Sequence, residues 1–222
     1  MVNKSEAKDF RMKVGTPVLI IAAFLLISAN AFAAPEWQGQ PGTTFQQWSF
    51  STSDRVNVSP DAAGLNNQYG DPFVWVGGRA VWNDVGAWAL VTDEMDFFIP
   101  NNPQLQPRKE MQIEVIWLQG GQGFLPKRPL VSVFPEYEDG RIVFPDISIL
   151  GQETIPGTSL IKTIFGVDIA PNPMREWIII KGDIVIDHIA VDTYCIPEPC
   201  TLVLVGLGVI FGLKKKRGVR GE

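Results

Sequence analysis

The chain has 222 residues, with 19 Lys and Arg, 24 Asp and Glu, one His and two Cys, for a formal net charge of −5. A hydrophobic content of 45% excludes a disordered chain, and the acidic balance argues against nucleic-acid binding, which favours a basic face. Two Cys are too few for a disulfide scaffold and one His is too few for most zinc sites, so no metal or cofactor is expected.

The first thirty-three residues read as a secretory signal. Lys4, Lys8, Arg11 and Lys13 make a basic start, Val18–Ile27 is an apolar run, and Ala31-Phe32-Ala33 is a small-x-small cleavage site. The apolar run is shorter than the ~20 residues of a membrane span, which favours a cleaved signal helix over an anchor. Residues 1–33 are therefore assigned to the signal, with cleavage after Ala33.

Residues 34–195 are expected to form one β domain. Ten basic and twenty acidic side chains lie between Ala34 and Ile196, a net of about −10. Such a surface stays soluble and repels polyanions. Short β-type runs recur between Gly, Pro and Asn clusters: Gln47–Thr52, Phe73–Val76, Ala87–Val91, Met95–Ile99, Met111–Leu118, Leu130–Phe134, Ile142–Phe144, Ile147–Leu150, Leu160–Asp168, Trp177–Lys181 and Ile184–Asp192. In Met111–Trp117, Ile113, Val115 and Trp117 share one face, and Gln112 and Glu114 share the other. Along Ile184–Asp192, Val185, Ile189 and Val191 fall on one side, interrupted by Asp187. Ile184, Ile186, His188 and Ala190 fall on the other. Gly182-Asp183 reads as a hairpin turn between Ile178 and Ile184. An all-β, jelly-roll-like sandwich is the predicted fold, with an open β-sandwich second. No internal repeat is present, which argues against a propeller or β-helix. The closing strand, ending near Tyr194, resembles the last strand of carbohydrate-binding jelly rolls.

The end of the chain reads Ile196-Pro197-Glu198-Pro199-Cys200, then an apolar stretch from Thr201 to Leu213, then Lys214-Lys215-Lys216-Arg217. Pro197 and Pro199 disfavour helix, so the triplet is expected to be extended and accessible. The thirteen residues Thr201–Leu213 rise only ~20 Å at ~1.5 Å each. That is short of a ~30 Å hydrocarbon core. Cys200 and snorkelling Lys stems extend the span to a short membrane helix, and the basic end stays cytoplasmic. Triplet, short helix and basic cluster behind an N-terminal signal resemble the PEP-CTERM sorting signal, over residues 196–217, leaving 218–222 as a tail. The resemblance implies an exosortase-type processing enzyme as partner, membrane tethering through the helix, cleavage near the triplet, and release to the cell envelope or exterior. The same tail is also known as the ice-binding protein C-terminal domain. Ice binding needs a flat regular array of Thr or similar residues, and no such array is present.

Chemistry within the domain is sparse. His188 sits in a predicted strand and reads as structural, and no Gly-x-Ser-x-Gly turn presents a serine. Cys195 and Cys200 flank the triplet closely enough for a local disulfide in an oxidising compartment. Acids crowd Asp93-Glu94-Met95-Asp96, Glu136-Tyr137-Glu138-Asp139 and Asp183 with Asp187. Two facing carboxylates could hydrolyse a glycoside. All seven Trp lie in the domain. Trp75, Trp117 and Trp177 sit in apolar runs and are expected in the core, whereas Trp37, Trp48 and Trp82 are candidates for a sugar-stacking platform. No catalytic residue is assigned. The expected protein is a non-enzymatic, exported surface protein, with polysaccharide as its candidate contact. A glycan-active hydrolase and a ligand-free structural β module are the alternatives.

Overall fold

Alternating side chains in the middle of the chain become the two faces of two antiparallel sheets. A computed structural model describes residues 35–83, 86–121, 125–141 and 143–196. The expected signal site at Ala31 and Ala33 lies outside these residues. So do the triplet Pro197, Glu198 and Pro199, Cys200, and the anchor from Thr201 and Leu213 to Lys214, Lys215, Lys216 and Arg217.

Twelve strands follow in order: β1 Thr43–Trp48, β2 Leu65–Asn66, β3 Phe73–Val76, β4 Val81–Asn83, β5 Ala87–Ala89, β6 Glu94–Pro100, β7 Arg108–Gln119, β8 Leu130–Glu136, β9 Ile147–Thr154, β10 Ile161–Ile169, β11 Arg175–Lys181 and β12 Ile184–Ile196. Among the described residues the only helical element is one 3-10 turn, Ala62–Gly64. The larger sheet runs β2-β1-β12-β7-β10-β9, with β5 also pairing β12 and carrying β4 on its other edge. The smaller sheet runs β3-β6-β11-β8. From β6 to β9 the chain changes sheet at every step, and it does so again from β10 to β12. The sheets face each other as a β-sandwich. Met95, Phe97, Ile178 and Ile180 from the smaller sheet bury against Ile113, Val115, Ile186 and Val191 from the larger.

Four expectations are corrected. Gly182-Asp183 does not turn a hairpin, because β11 and β12 belong to different sheets. Gly182, at φ 150°, carries the chain across. A Cβ there would meet the Arg128 carbonyl oxygen at 2.6 Å, and Asp183 N–H donates to Pro126 O at 3.0 Å. The strict alternation expected along β12 is broken by a bulge. Ile186 pairs Trp117 and His188 pairs Ile116, so Asp187 is the extra residue. An extra residue shifts the side-chain phase by one. Ile184 and Ile186 before the bulge, and Ile189 and Val191 after it, therefore all reach the same core. The expected strand at 142–144 is absent at Val143 and Phe144. Phe144 is 69% exposed and meets Phe134 edge-on at 5.6 Å. Hemmed by a turn at Gly140 (φ 71°) and by Pro145, this piece is too short to pair. The first strand lies earlier than expected and ends at Trp48, because Phe50 takes a left-handed φ of 49° that ends extended pairing.

Candidate functional site

The outer face of the smaller sheet carries a row of rings. Register places Phe73 opposite Phe98, Phe98 opposite Trp177 and Trp177 opposite Phe134. One aromatic therefore stands on each of the four strands at the same level. Their neighbours in sequence, Val74, Phe97, Ile178 and Val133, point the other way into the core, so the pleat itself puts the rings outside. Phe73 stacks on Phe98 at 4.8 Å and 18°. Trp177 meets Phe98 at 5.2 Å, and Trp75 meets Trp177 at 5.5 Å and 47°. Trp75 is 43% exposed, and its indole N–H donates to Asn57 Oδ1 at 2.7 Å, which fixes the ring. Offset and edge-on pairs of this kind favour a set ring geometry by ~1 kcal/mol each beyond their buried area.

Polar groups rim the row. Asp96 is opposite Trp75 and opposite Ile179. Burial pushes its carboxyl up, Glu94 adds to that and Lys181 opposes it. Lys181 pairs Glu94 at 2.5 Å. At the other end Arg175 grips Glu136 through two nitrogens, 2.7 and 2.5 Å, with its guanidinium 5.8 Å from the Phe98 ring. Hydrogen bonding to Arg175 holds Glu136 below the usual carboxylate range. The face offers flat apolar rings bordered by paired charges and by exposed Ser132.

This reverses part of the Trp assignment. Trp75 and Trp177 lie on the outer face rather than in the core, whereas Trp48 is 1% exposed and packs edge-on against Phe97 at 5.0 Å. Trp117 is core, as expected. Trp82 is half-buried against Trp88 at 5.1 Å, and Trp37 stacks on Tyr194 at 6.2 Å.

The outer face of the larger sheet is acidic. Glu114 stands opposite Ala190 and Asp192 opposite Gln112. Burial raises both, and Asp192 is pushed up to about 7 with Glu114 adding its charge and a Gln38 hydrogen bond opposing. Arg108 ties together Glu110 (3.1 Å) and Asp168 (2.7 Å). A cleft of about 510 Å³ lies here, lined by Trp37, Glu110, Asp168 and Leu150 among others. The Leu150 side chain occupies the space a Cβ on Gly166 would need, 2.9 Å away.

Several acids of the acid-rich turns are held locally, whereas Asp96 Oδ1 is buried with no hydrogen-bond partner among the described residues. Asp93 caps the backbone N–H groups of Arg79, Ala80 and Glu94, and Asp139 pairs Arg141 at 3.2 Å. Asp183 is buried at the sheet crossing. His188 follows the bulge, and burial lowers its pKa while Asp187 and Asp61 oppose. Cys195 is a buried free thiol. Among the described residues no group of three or more His, Cys, Asp or Glu is placed to hold a metal.

No family model matches the chain, and no curated protein matches it. Among solved structures, the crystal structure of the enzymatically active domain of bacteriophage CBA120 tailspike protein 4 is similar at 14% identity with a TM-score of 0.24. The match covers 68% of this chain and 18% of that one, so the chain spans under a fifth of that structure's length. A likeness this weak carries neither fold nor activity to this chain.

Proposed function

We propose that the protein is a non-enzymatic, exported surface protein whose jelly-roll-like domain holds uncharged polysaccharide on the aromatic face of its smaller sheet. The observation that carries this reading is the registered row Phe73, Phe98, Trp177 and Phe134 with Trp75 beside it. Flat rings match the apolar faces of sugars, and the paired groups at the rim supply donors and acceptors for hydroxyls. With about ten more acidic than basic side chains in the domain, a polyanionic glycan is disfavoured. Support for the jelly-roll assignment is the pairing of the first long strand with the last, β1 with β12, and the repeated change of sheet. In the sorting reading, the triplet Pro197-Glu198-Pro199, the helix and the basic end direct the chain to an exosortase-type enzyme, first at the inner membrane and then in the envelope or exterior.

The glycan-active alternative starts from the acid-rich turns, where Asp93 caps backbone N–H groups and Asp139 pairs Arg141; Glu114 and Asp192 are the neighbouring raised carboxyls that the structure adds. Burial raises both, Asp192 to about 7, but neither is among the residues lining the cleft of that face.

Affinity electrophoresis of the full chain through gels cast with neutral glucans, mannans or galactans tests the reading. Retardation by at least one, lost in the Trp75→Ala/Trp177→Ala double variant while the fold persists, is the expected result. A wild-type chain retarded by none leaves the ligand-free structural module. The sorting part has its own test: the exported chain is weighed from cells with and without an exosortase. A product that still contains residues 214–222 in the presence of the enzyme contradicts processing.

A further inference from the structure

At one end of the sandwich four chemically active side chains are shut in together between the sheets. Lys109 on β7 and Cys195 on β12 are register partners in the larger sheet. Glu176 comes from β11 of the smaller sheet, and Asn101 follows directly on β6. Lys109 and Glu176 side chains are both 0% exposed, and Asn101 and Cys195 are 4% exposed. Lysine and glutamate are almost never so fully buried without a special arrangement.

The arrangement here is directional. Lys109 Nζ lies 2.7 Å from Glu176 Oε1, and Asn101 Nδ2 donates to the same oxygen at 3.1 Å. Amine and amide nitrogen therefore share one carboxylate oxygen. Nδ2 is also held by the Pro173 carbonyl at 2.7 Å. The other end of the Asn101 amide, Oδ1, accepts the Cys195 thiol at 3.7 Å. Glu176 Oε2 is buried with no hydrogen-bond partner among the described residues. A carboxylate between a nucleophilic amine and a leaving amide nitrogen, with a weak donor on the carbonyl oxygen, is the constellation for acyl transfer onto nitrogen.

We propose that Lys109 and Asn101 are joined by an intramolecular amide bond, formed by the chain itself with Glu176 carrying the protons. Glu176 takes one proton from the Lys109 ammonium and leaves a neutral amine. Burial raises the Glu176 carboxyl, which fits it to take up that proton. The Nζ lone pair attacks Asn101 Cγ, and the thiol of Cys195 faces the oxygen where negative charge develops. Glu176 passes its proton to Nδ2, the Cγ–Nδ2 bond breaks, and ammonia leaves. Of the three ammonium protons, one stays on the new amide, one departs with ammonia and one ends on Glu176. The step needs no oxidant, metal or activated co-reactant. Enclosure supplies the proximity that makes an otherwise very slow aminolysis feasible. The product ties β6 of the smaller sheet to β7 of the larger.

The test is made on the full chain, purified folded, then denatured and digested with trypsin. Cleavage at Arg79, Arg108 and Lys127 is expected to leave residues 80–108 joined to residues 109–127, lighter than the two together by one ammonia and uncut after Lys109. Lys109→Arg, which keeps the cation, and Glu176→Gln, which keeps the shape, are both expected to give residues 80–108 and residues 110–127 as separate peptides, with cleavage restored after residue 109. A folded wild-type chain that yields residues 80–108 alone with Asn101 intact overturns the proposal. So does a link that has lost water and joins Lys109 to Glu176. Full linkage in folded Glu176→Gln removes the role given to Glu176.

Discussion

On the smaller sheet the outward residues at one level are Phe73, Phe98, Trp177 and Phe134. On the larger sheet the outward positions hold Glu110, Glu114, Asp192 and Asp168. Both faces are produced by the same pleat over the same shared core. They differ in what stands opposite in register. Rings opposite rings attract through their edges and faces without needing full burial. On the larger sheet the acid pair in register, Asp168 with Glu110, is bridged by Arg108. Glu114 and Asp192 face Ala190 and Gln112, and there burial, with Glu114's charge on Asp192, disfavours the charged form. The aromatic face can therefore stay open to a ligand at little cost. The acidic face is partly closed over, with Trp37 on Tyr194 and Gln38 on Asp192.

The largest effect expected on either outer face is at Asp192. Its carboxyl rises from an ordinary 3.8 to about 7, mainly through burial. The folded state therefore holds a proton that the unfolded state releases above its own pKa. Stability from this group is complete at pH values below about 4, is lost as pH rises, and is gone above about 7. Three units correspond to at most about 4 kcal/mol, less whatever relaxation the opening of the Gln38 segment allows. Asp192→Asn keeps the shape, still accepts from Gln38 and removes the titration. Its melting temperature is expected to exceed the wild type by several degrees at pH ~8, and to match it within about a degree at pH ~4. Equal melting temperatures at pH ~8 would mean that Asp192 is hydrated, and the two faces would then be less different than described.

Much of the core was legible before the structure. Ile113, Val115 and Trp117 alternate with Gln112 and Glu114, and β7 buries them as that pattern requires. Phe73–Val76 reads as a strand and is one. Its faces were not legible, because Phe-Val-Trp-Val is apolar at every position and period two leaves no mark. Trp75 therefore looked like core when Val74 and Val76 are the buried pair. The Asp187 bulge was hidden for a related reason: an inserted residue moves the phase without changing composition. The buried set Lys109, Glu176 and Asn101 had no signal at all. Arg108-Lys109-Glu110 and Arg175-Glu176 read as solvated charge, and only the meeting of β7 with β11 across the sandwich gives them a common interior. The two short strands β2 and β4 span two and three residues, too few to carry a period.

The smallest stability effect expected is at Trp75, and it is the one that tests whether the aromatic face is an open surface. Trp75→Ala removes ring contacts with Phe73 at 5.6 Å and Trp177 at 5.5 Å and the donor to Asn57. The indole is 43% exposed, so much of its apolar area is never withdrawn from water. The loss on thermal or urea unfolding is expected at ~2–3 kcal/mol, the sum of two ring contacts and one hydrogen bond at ~1 kcal/mol each. Trp48→Ala, at a side chain 1% exposed, sets the other end at ~3–5 kcal/mol because it leaves a cavity. If the two variants were equally destabilised, Trp75 would be serving the fold rather than facing a ligand. A smaller loss at Trp75 with intact cooperativity leaves the ring row as surface whose geometry is fixed by its own contacts. Loss of polysaccharide retardation in the double variant could then be read as loss of contact rather than loss of fold.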